Sequence, residues 1–245
     1  MPTPKIDNTN IDKIREETLR LFDAVPFRKD EGILGELRFC DHPFTDGLDM
    51  YYPKEERWLN LTKDEDAAVY RNIISEMIAR SDMIHCYMLI QSRYKLTWFK
   101  LCAPYMSDED FAEFLRLAWI ETADPNQDSF VSKEEAVQYF KSAKKECLMN
   151  DDDLDYYNSL PNTITVYRGV SPNRAKYGLS WTDNKKKAEW FQHRFEKELH
   201  KKGYLLKATI DKKHCLAYIN DRKEKELVID VFAIRDKIKK IDSAN

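Results

Sequence analysis

Residues 163–183 read TITVYRGVSPNRAKYGLSWTD and mark the place where the pattern of the chain changes. From about residue 10 to residue 157, apolar residues recur mainly at helical spacing. Further along they form short β-type runs that polar turns and one helix separate, at 163–167, 204–210, 216–219 and 227–232. The sequence therefore predicts an α+β fold that is mainly helical first and rich in strands afterwards.

The change of pattern also predicts how the chain is organised. We expect a mainly helical region over 1–158 and a β-rich region over 159–245. No internal repeat or low-complexity linker separates them, so we expect the two regions to pack together. Within the helical region, Thr62 and Glu65 have the spacing of a capping box, and the apolar pattern predicts one helix over 83–101.

Composition and charge favour a soluble globular protein that stays where it is made. Hydrophobic residues make up 42% of the 245 residues and charged residues 34%, with a net charge of -3, which argues against a disordered chain. No apolar stretch approaches a membrane span, and the first residues lack the pattern of a secretory signal. We therefore expect a cytoplasmic protein without a membrane partner. The five cysteines are scattered without CxxC spacing, which predicts reduced core thiols.

Arg168 ends the first β-type run, with Gly169 directly after it. Its guanidinium should project from the end of the strand, where a ligand could lie. The planar guanidinium offers paired, charge-assisted hydrogen bonds to phosphate oxygens and keeps its charge at any relevant pH. The alternative is a strand-end arginine paired with an acidic residue.

Ser180 and Thr182 stand two apart on an extended segment, so both hydroxyls should face one side and Trp181 the other. Asp183 or Thr182 would then cap the helix that follows. Taken alone, this segment predicts no more than a capped helix start.

Glu224 and Glu226 flank Lys225 immediately before the apolar run 227–232. Strand spacing would send both carboxylates from the same face. Two carboxylates held together can divide labour, one steadying positive charge on a sugar ring and the other guiding a nucleophile. The alternative is a solvated charge run, because residues 221–226 mix both signs like many exposed turns.

In this order, the three segments resemble the ADP-ribosyltransferase superfamily, in its branch with an arginine, a Ser-x-Ser/Thr and a Glu-x-Glu motif. That branch includes bacterial toxins and phage-encoded modifying enzymes. The resemblance covers residues 162–232 and includes Ala188 and Phe191 on the helix after Thr182. It implies that 159–245 is a catalytic core with a split β-sheet, and that 1–158 forms the other wall of a cleft or recognises the target.

The resemblance also implies roles for individual residues and makes NAD the substrate. Arg168 would hold the phosphates or the nicotinamide ribose, and Ser180 would orient that ribose and the catalytic carboxylate. Glu226 would stabilise the oxocarbenium-like ion as nicotinamide leaves, and Glu224 would position the acceptor. The predicted catalytic set is Glu226, Glu224, Ser180 and Arg168. The residues predicted to contact NAD are Arg168, Gly169, Ser180, Thr182, Phe191 and Glu226.

The implied function is transfer of ADP-ribose to an arginine of an unidentified target protein, since arginine-modifying members also have a glutamate where this chain has Glu224. The chain departs from the family at Trp181, where a small residue is usual, and in its short turn after Ile219. Lysines at 185–187 fit a solvated helix face, so a nucleic-acid partner is not expected. Transfer to a nucleic-acid base is the weaker alternative.

A second pattern lies in residues 124–135, which read DPNQDSFVSKEE. Its oxygen atoms match an EF-hand calcium loop, but Ser129 replaces the glycine needed for the sharp turn, and we assign no metal ligand. The local alternative is a capping box of Ser132 and Glu135. The pattern leaves open a different function, an inactive transferase-like binding module regulated by calcium. The candidate oxygen donors are Asp124, Asn126, Asp128, the Phe130 carbonyl, Ser132 and Glu135.

Overall fold

The computed structural model describes residues 7–27, 30–31, 38–39 and 41–241. The chain forms two compact units. The first runs up to Ser107 and includes Glu121–Ala123, and the second contains Asp108–Ile120 and the chain from Asp124 onward. Helices and small antiparallel sheets occur together, which confirms the α+β class. The predicted division at residue 158 concerns the roles of two regions, and it stays a prediction.

The first unit is built around its opening helix. Asn10 caps this helix by accepting a hydrogen bond from the Lys13 amide at 3.1 Å. The buried Trp98 donates its indole N–H to the Thr18 hydroxyl on the same helix at 2.8 Å. The helices are α1 (Ile11–Ala24), α2 (Asp64–Arg80), α3 (Met83–Met88) and α4 (Lys95–Cys102). The strands form two hairpins, β1 (Asp30–Glu31) with β2 (Arg38–Phe39) and β3 (Asp49–Tyr52) with β4 (Arg57–Asn60).

Two local predictions for the first unit are wrong. Helix α2 has Lys63 as its N-cap without a side-chain cap, and the Thr62 hydroxyl donates to the Asn60 side chain at 2.6 Å. The helix expected over 83–101 is interrupted between α3 and α4. There the Gln91 amide donates to the Pro43 carbonyl at 2.7 Å, a partner outside the helix. A bond to a preceding residue thus replaces the capping box in the first place, and a bond to a distant residue marks the helix interruption in the second.

The second unit combines six helices and six strands among the described residues. None of the helices described in either unit is long and apolar enough to cross a membrane. The helices are α5 (Asp108–Glu121), α6 (Lys133–Ser142), α7 (Lys145–Leu148), α8 (Asp151–Ser159), α9 (Lys185–His193) and α10 (Glu196–Leu199). The strands are β5 (Thr163–Val170), β6 (Ser180–Trp181), β7 (Tyr204–Asp211), β8 (Cys215–Ile219), β9 (Glu226–Ile229) and β10 (Lys239–Ile241).

The strands of the second unit form two three-stranded antiparallel sheets, in the orders β10-β7-β5 and β6-β9-β8. A backbone bridge joins them, in which Tyr167 and Thr182 exchange hydrogen bonds of 2.7 and 2.9 Å. Strand β5 buries alternate residues, and Arg168 follows Ile164 and Val166 on the buried face. This alternation sends the guanidinium toward the second sheet instead of toward solvent.

Candidate functional site

Ser180 lies beside Glu226 because strands β6 and β9 pair. Their antiparallel register sets Ser180 opposite Val228, and Glu226 is the first residue of β9, paired with Ile219 of β8. This register places Ser180 diagonally across from Glu226, and the Ser180 hydroxyl lowers the pKa of that carboxyl. The sheet register thus brings together two of the predicted residues that are far apart in the sequence.

Glu226 is a buried carboxylate with specific donors around it. Only 7% of the residue is exposed, and the indole N–H of Trp119 on α5 donates to its Oε1 at 2.9 Å. Burial raises the pKa of Glu226, because the charged form loses its water. The hydrogen bonds from Ser180 and Trp119 and the charge of Arg222 act in the opposite direction, whereas Glu224 raises the pKa further.

Arg168 is nearly buried and holds two backbone carbonyls. Its Nη1 donates to the Ser180 carbonyl at 2.7 Å, and its Nη2 donates to the Ala175 carbonyl at 3.0 Å. Its Nε makes no hydrogen bond with the described residues. Burial lowers the pKa of Arg168 to about 10, against the charges of Glu226 and Asp124, so the guanidinium is charged at neutral pH. Arg168, Ser180 and Glu226 are therefore in one cluster.

Gly178 makes room for the Arg168 guanidinium. A Cβ atom at Gly178 would lie 2.2 Å from Nη2 and 2.5 Å from Cζ of Arg168, and 2.8 Å from Oδ1 of Asn126. These distances are far below van der Waals contact. A glycine at this position is required for the arginine and the strand β6 segment to approach each other.

Gly169 and Phe191 belong to the contact between β5 and α9. A Cβ atom at Gly169 would lie 1.9 Å from the Ala188 carbonyl oxygen, so only glycine lets the strand approach this helix so closely. The half-buried Phe191 ring packs on the ring of Trp190 with centroids 4.9 Å apart. These contacts account for both residues by packing, and a contact of either with NAD stays a prediction.

Thr182 serves a different element from Ser180. It is buried, and its hydroxyl accepts a hydrogen bond from the Asn184 amide at 3.2 Å. Asn184 is the N-cap of α9 and accepts from the Lys187 amide at 3.1 Å. The expectation that Asp183 or Thr182 caps this helix is therefore wrong. Thr182 thus supports the turn into α9, and its contact with NAD stays a prediction.

Glu224 lies in the turn before β9, half-buried, and its carboxylate approaches Arg222 at 3.5 Å. Lys225 has a left-handed backbone with φ of 51°, so the alternation of a strand begins only at Glu226. The expectation that both carboxylates leave one face of a strand is therefore wrong, because the turn reorients the chain between them. The charge of Glu224 still acts on Glu226.

Asn126 is the contact residue that the sequence reasoning did not assign to this cluster. Its Nδ2 donates to the Ser180 hydroxyl at 2.8 Å, and its Oδ1 accepts from the Leu179 amide. Trp119 is a second such residue, through Glu226. Both precede the β-rich region. A lone tryptophan on a helix carries no sequence signal of its own, and the sequence singles out Asn126 only as a candidate calcium donor.

In the loop 124–135, whose oxygen atoms match a calcium loop in sequence, several side chains have protein partners. Asp124 pairs with Arg174, and the Gln127 side chain accepts from the Ala175 amide. Asp128 accepts from two amides of its own loop. The predicted capping box of Ser132 and Glu135 is confirmed at the start of α6. Across the described residues, no group of three His, Cys, Asp or Glu side chains is arranged to hold a metal ion.

The four described cysteines are free thiols, and the prediction of core thiols holds for the three that are buried. Cys86, Cys102 and Cys215 are buried, and Cys147 is partly exposed. Burial raises the pKa of Cys86 to about 11, which makes it a poor nucleophile. Cys40 lies outside the described residues.

Comparisons with models of protein families, with curated proteins and with solved structures find no match.

Proposed function

We propose that this protein is an NAD-dependent mono-ADP-ribosyltransferase that cleaves the nicotinamide glycosidic bond and transfers ADP-ribose to an arginine of a target protein. The observation that carries the proposal is the position of Ser180 between the other two predicted residues. Its carbonyl accepts from Arg168 at 2.7 Å, and its side chain lies on the strand next to Glu226, whose pKa it lowers. Ser180 is partly exposed, so a ligand could reach the cluster from its side.

The proposed reaction requires a carboxylate beside the breaking bond. Nicotinamide leaves as a neutral base, because the electron pair of the C1′–N bond departs with it. The ribose is left as an oxocarbenium-like ion, whose positive charge the Glu226 carboxylate would stabilise. A nitrogen of the target arginine then forms the new bond to C1′ and releases a proton, for which Glu224 is the proposed acceptor.

Arg168 would contribute charge on the other side of the ligand. Its guanidinium is charged at neutral pH, since its pKa remains about 10 despite burial. Its Nε–H has no partner among the described residues, and a buried donor without a partner costs free energy. A phosphate or ribose oxygen of NAD would satisfy this donor and add a charge-assisted hydrogen bond.

Replacement of Glu226 by glutamine tests the proposal. Glutamine keeps the shape of the side chain and can accept the hydrogen bond from Trp119, but it carries no charge. We expect Glu226→Gln to lower the rate of nicotinamide release from NAD by about 100-fold or more, the usual loss when a group that stabilises transition-state charge is removed. The release is measured by chromatography, with and without an arginine-rich acceptor protein.

Glu198→Gln is the matched control, because Glu198 is exposed on α10 and the substitution removes the same charge. Its rate should equal that of the wild type. Equal rates for wild type and Glu226→Gln would remove the catalytic role of Glu226. No release from NAD by the wild type with any arginine acceptor would overturn the proposed function.

A second candidate function is a binding module that retains this arrangement without chemistry. The observation in its favour is that Arg168 and Glu226 are only 8% and 7% exposed and already have protein partners. A calcium-regulated form would require Asp124 and Asn126 to leave Arg174 and Ser180. Calorimetry distinguishes the two functions, because a module of this kind would show heat with NAD or calcium while releasing no nicotinamide.

A further inference from the structure

We infer that Asn126 is a positioning residue, which fixes the direction of the Ser180 hydroxyl so that its proton is donated to Glu226. The inference deepens the proposed function and rests on it for the consequence in catalysis. The hydrogen-bond network itself can be tested without NAD.

The orientation of the Asn126 amide follows from its partner on one side. Its Oδ1 faces the backbone amide of Leu179, which can only donate a hydrogen bond. The oxygen must therefore be on that side, and the nitrogen must face Ser180. This fixes the assignment of the two ends of the side chain, which are otherwise hard to distinguish. Asn126 is buried, with 9% of the residue exposed.

The direction of the Ser180 hydroxyl follows in turn. Asn126 Nδ2 lies 2.8 Å from the hydroxyl oxygen, and an amide nitrogen only donates, so Ser180 is the acceptor in this bond. A hydroxyl has a single proton. That proton is therefore free for another acceptor, and the carboxylate of Glu226 on the neighbouring strand, whose pKa Ser180 lowers, is the acceptor that we assign to it.

In this arrangement Glu226 would receive two donors with fixed directions. The second is the indole of Trp119, 2.9 Å from Oε1, and an indole N–H only donates. Both bonds favour the ionised carboxylate, which is the form that the proposed reaction needs. Without Asn126 the hydroxyl could rotate its proton away from the carboxylate.

The position of Asn126 is itself held from both sides. It lies in the short turn Pro125–Gln127, where Asp124 pairs with Arg174 and Gln127 accepts from the Ala175 amide. These contacts tie the turn to the chain that leads into β6. Asn126 is thus a fixed donor, and not a mobile loop side chain.

Charged groups also surround Glu226. Glu224 raises the pKa of Glu226, and Arg222 lowers it. Arg168 interacts electrostatically with Glu226, and Asp124 in turn acts on Arg168. An experiment on Asn126 must therefore separate a change in hydrogen bonding from a change in nearby charge.

Asn126→Asp makes this separation possible. The aspartate would still accept from the Leu179 amide, but its second oxygen would accept the Ser180 proton and compete with Glu226. The ionisation of Glu226 is followed by carbon-13 NMR of glutamate-labelled protein, with the Glu226→Gln spectrum for assignment. We expect Asn126→Asp to raise the pKa of Glu226. The rise should be larger by about one pH unit in the wild-type background than in the Ser180→Ala background, which is the size of a typical coupling between bonded residues.

Gln127→Glu is the matched control. It makes the same change from amide to acid one residue further on, and its oxygen can still accept from the Ala175 amide. It adds a charge near the site without touching Ser180, so we expect a much smaller change in the pKa of Glu226. If Asn126→Asp does not fold, Asn126→Ala replaces it, and its effect on the pKa of Glu226 is measured in the wild-type and Ser180→Ala backgrounds. The effects of the two substitutions on this pKa should be non-additive.

Equal shifts in the two backgrounds, or a shift of the same size in Gln127→Glu, would overturn the inference, because charge alone would then explain the result. Nicotinamide release supplies a separate readout. If the protein releases nicotinamide, Asn126→Asp should lower kcat by about 10-fold or more and leave KM for NAD nearly unchanged. Coupling in the NMR experiment with no release by the wild type would sustain the network and overturn the proposed function.

Discussion

At Arg168 one side chain holds two carbonyl groups, one in the loop after β5 and one at the start of β6. The bonds to Ser180 and Ala175 use both terminal nitrogens of the planar guanidinium. A lysine has one terminal nitrogen on a flexible stem and could not bridge both carbonyls with the same geometry. The residue that the sequence singles out for a ligand is therefore also part of the framework that positions Ser180.

Gly178→Ala should disturb this residue-scale arrangement. The new methyl group would lie 2.2 Å from Arg168 Nη2 and would displace the guanidinium from its carbonyl partners. We expect the free energy of unfolding to fall by about 1 to 3 kcal/mol, the usual cost of overpacking. Urea unfolding followed by circular dichroism measures it.

Gly47→Ala is the control for the same substitution elsewhere. A Cβ atom there would meet nothing closer than 3.6 Å, so alanine should be neutral or should stabilise by about 0.4 to 1 kcal/mol. A neutral Gly178→Ala would show that the arginine can move aside without loss.

At the scale of elements, helix α5 and strand β9 meet through one polar contact in a largely apolar environment. Trp119 is fully buried and lies edge-on to Phe140 of α6 with centroids 5.2 Å apart. Its indole N–H finds its acceptor in Glu226 at the start of β9. The helix thus contributes both packing and a donor for the carboxylate.

Trp119→Phe removes that donor and keeps an aromatic ring in the core. Hydrogen bonds to charged groups contribute about 1.5 to 3 kcal/mol, so we expect a loss of about 2 kcal/mol in the free energy of unfolding at pH 7. The loss should be smaller below the pKa of Glu226, where the carboxyl is neutral. Urea unfolding at pH 7 and at a pH below the pKa of Glu226 provides the measurement.

Trp190→Phe serves as the comparison, because 53% of Trp190 is exposed on α9. Its effect should stay within about 0.5 kcal/mol. A loss for Trp119→Phe that is equally large at both pH values would indicate that ring packing, and not the bond to Glu226, is what matters.

The strands of the second unit were largely predictable from the sequence, whereas the contacts between them and the helices were not. The β-type run at 163–167 lies within β5, and the run at 204–210 lies within β7, because alternating burial leaves a local pattern. The run at 227–232 is longer than β9, since the chain turns after Ile229. Asn126 escaped prediction because its role depends on a partner that only tertiary structure brings near.

At the scale of the whole molecule, each compact unit has its own buried residues and its own polar contacts. The residues of the candidate site, including Trp119 and Asn126, all belong to the second unit. The first unit has a different buried ionisable group, His42, of which only 1% is exposed. Its imidazole stacks on Phe27 with centroids 4.0 Å apart, and its Nδ1 accepts from the Phe44 amide at 3.2 Å.

His42 should make the stability of the protein sensitive to mild acid. Burial lowers the pKa of His42 from 6.5 to about 4. Above pH 6.5 the imidazole is neutral in the folded and unfolded states alike. Between pH 6.5 and about 4 only the unfolded state binds the proton, so stability is lost as the pH falls through this range. We expect a loss of about 2 kcal/mol between pH 7 and pH 5 from this group.

His42→Gln should remove this part of the pH dependence, because glutamine can occupy the same polar positions and does not titrate. His200→Asn changes an exposed histidine with a left-handed backbone, which asparagine tolerates, and should keep the wild-type slope. Chemical unfolding at several pH values compares the three proteins. The same slope in His42→Gln as in the wild type would assign the acid sensitivity to other groups.

The side chains of Asp124 and Asn126 limit what this chain can become through small evolutionary steps. Both have oxygen atoms that an ion could use, and both are committed to the chain around β6. A descendant could gain affinity for an ion, for instance through glycine in place of Ser129. In such a descendant these oxygens would turn toward the ion and would no longer hold the chain around β6. Ion sensing and an ordered serine are therefore competing outcomes of one loop, and selection for either would erode the other.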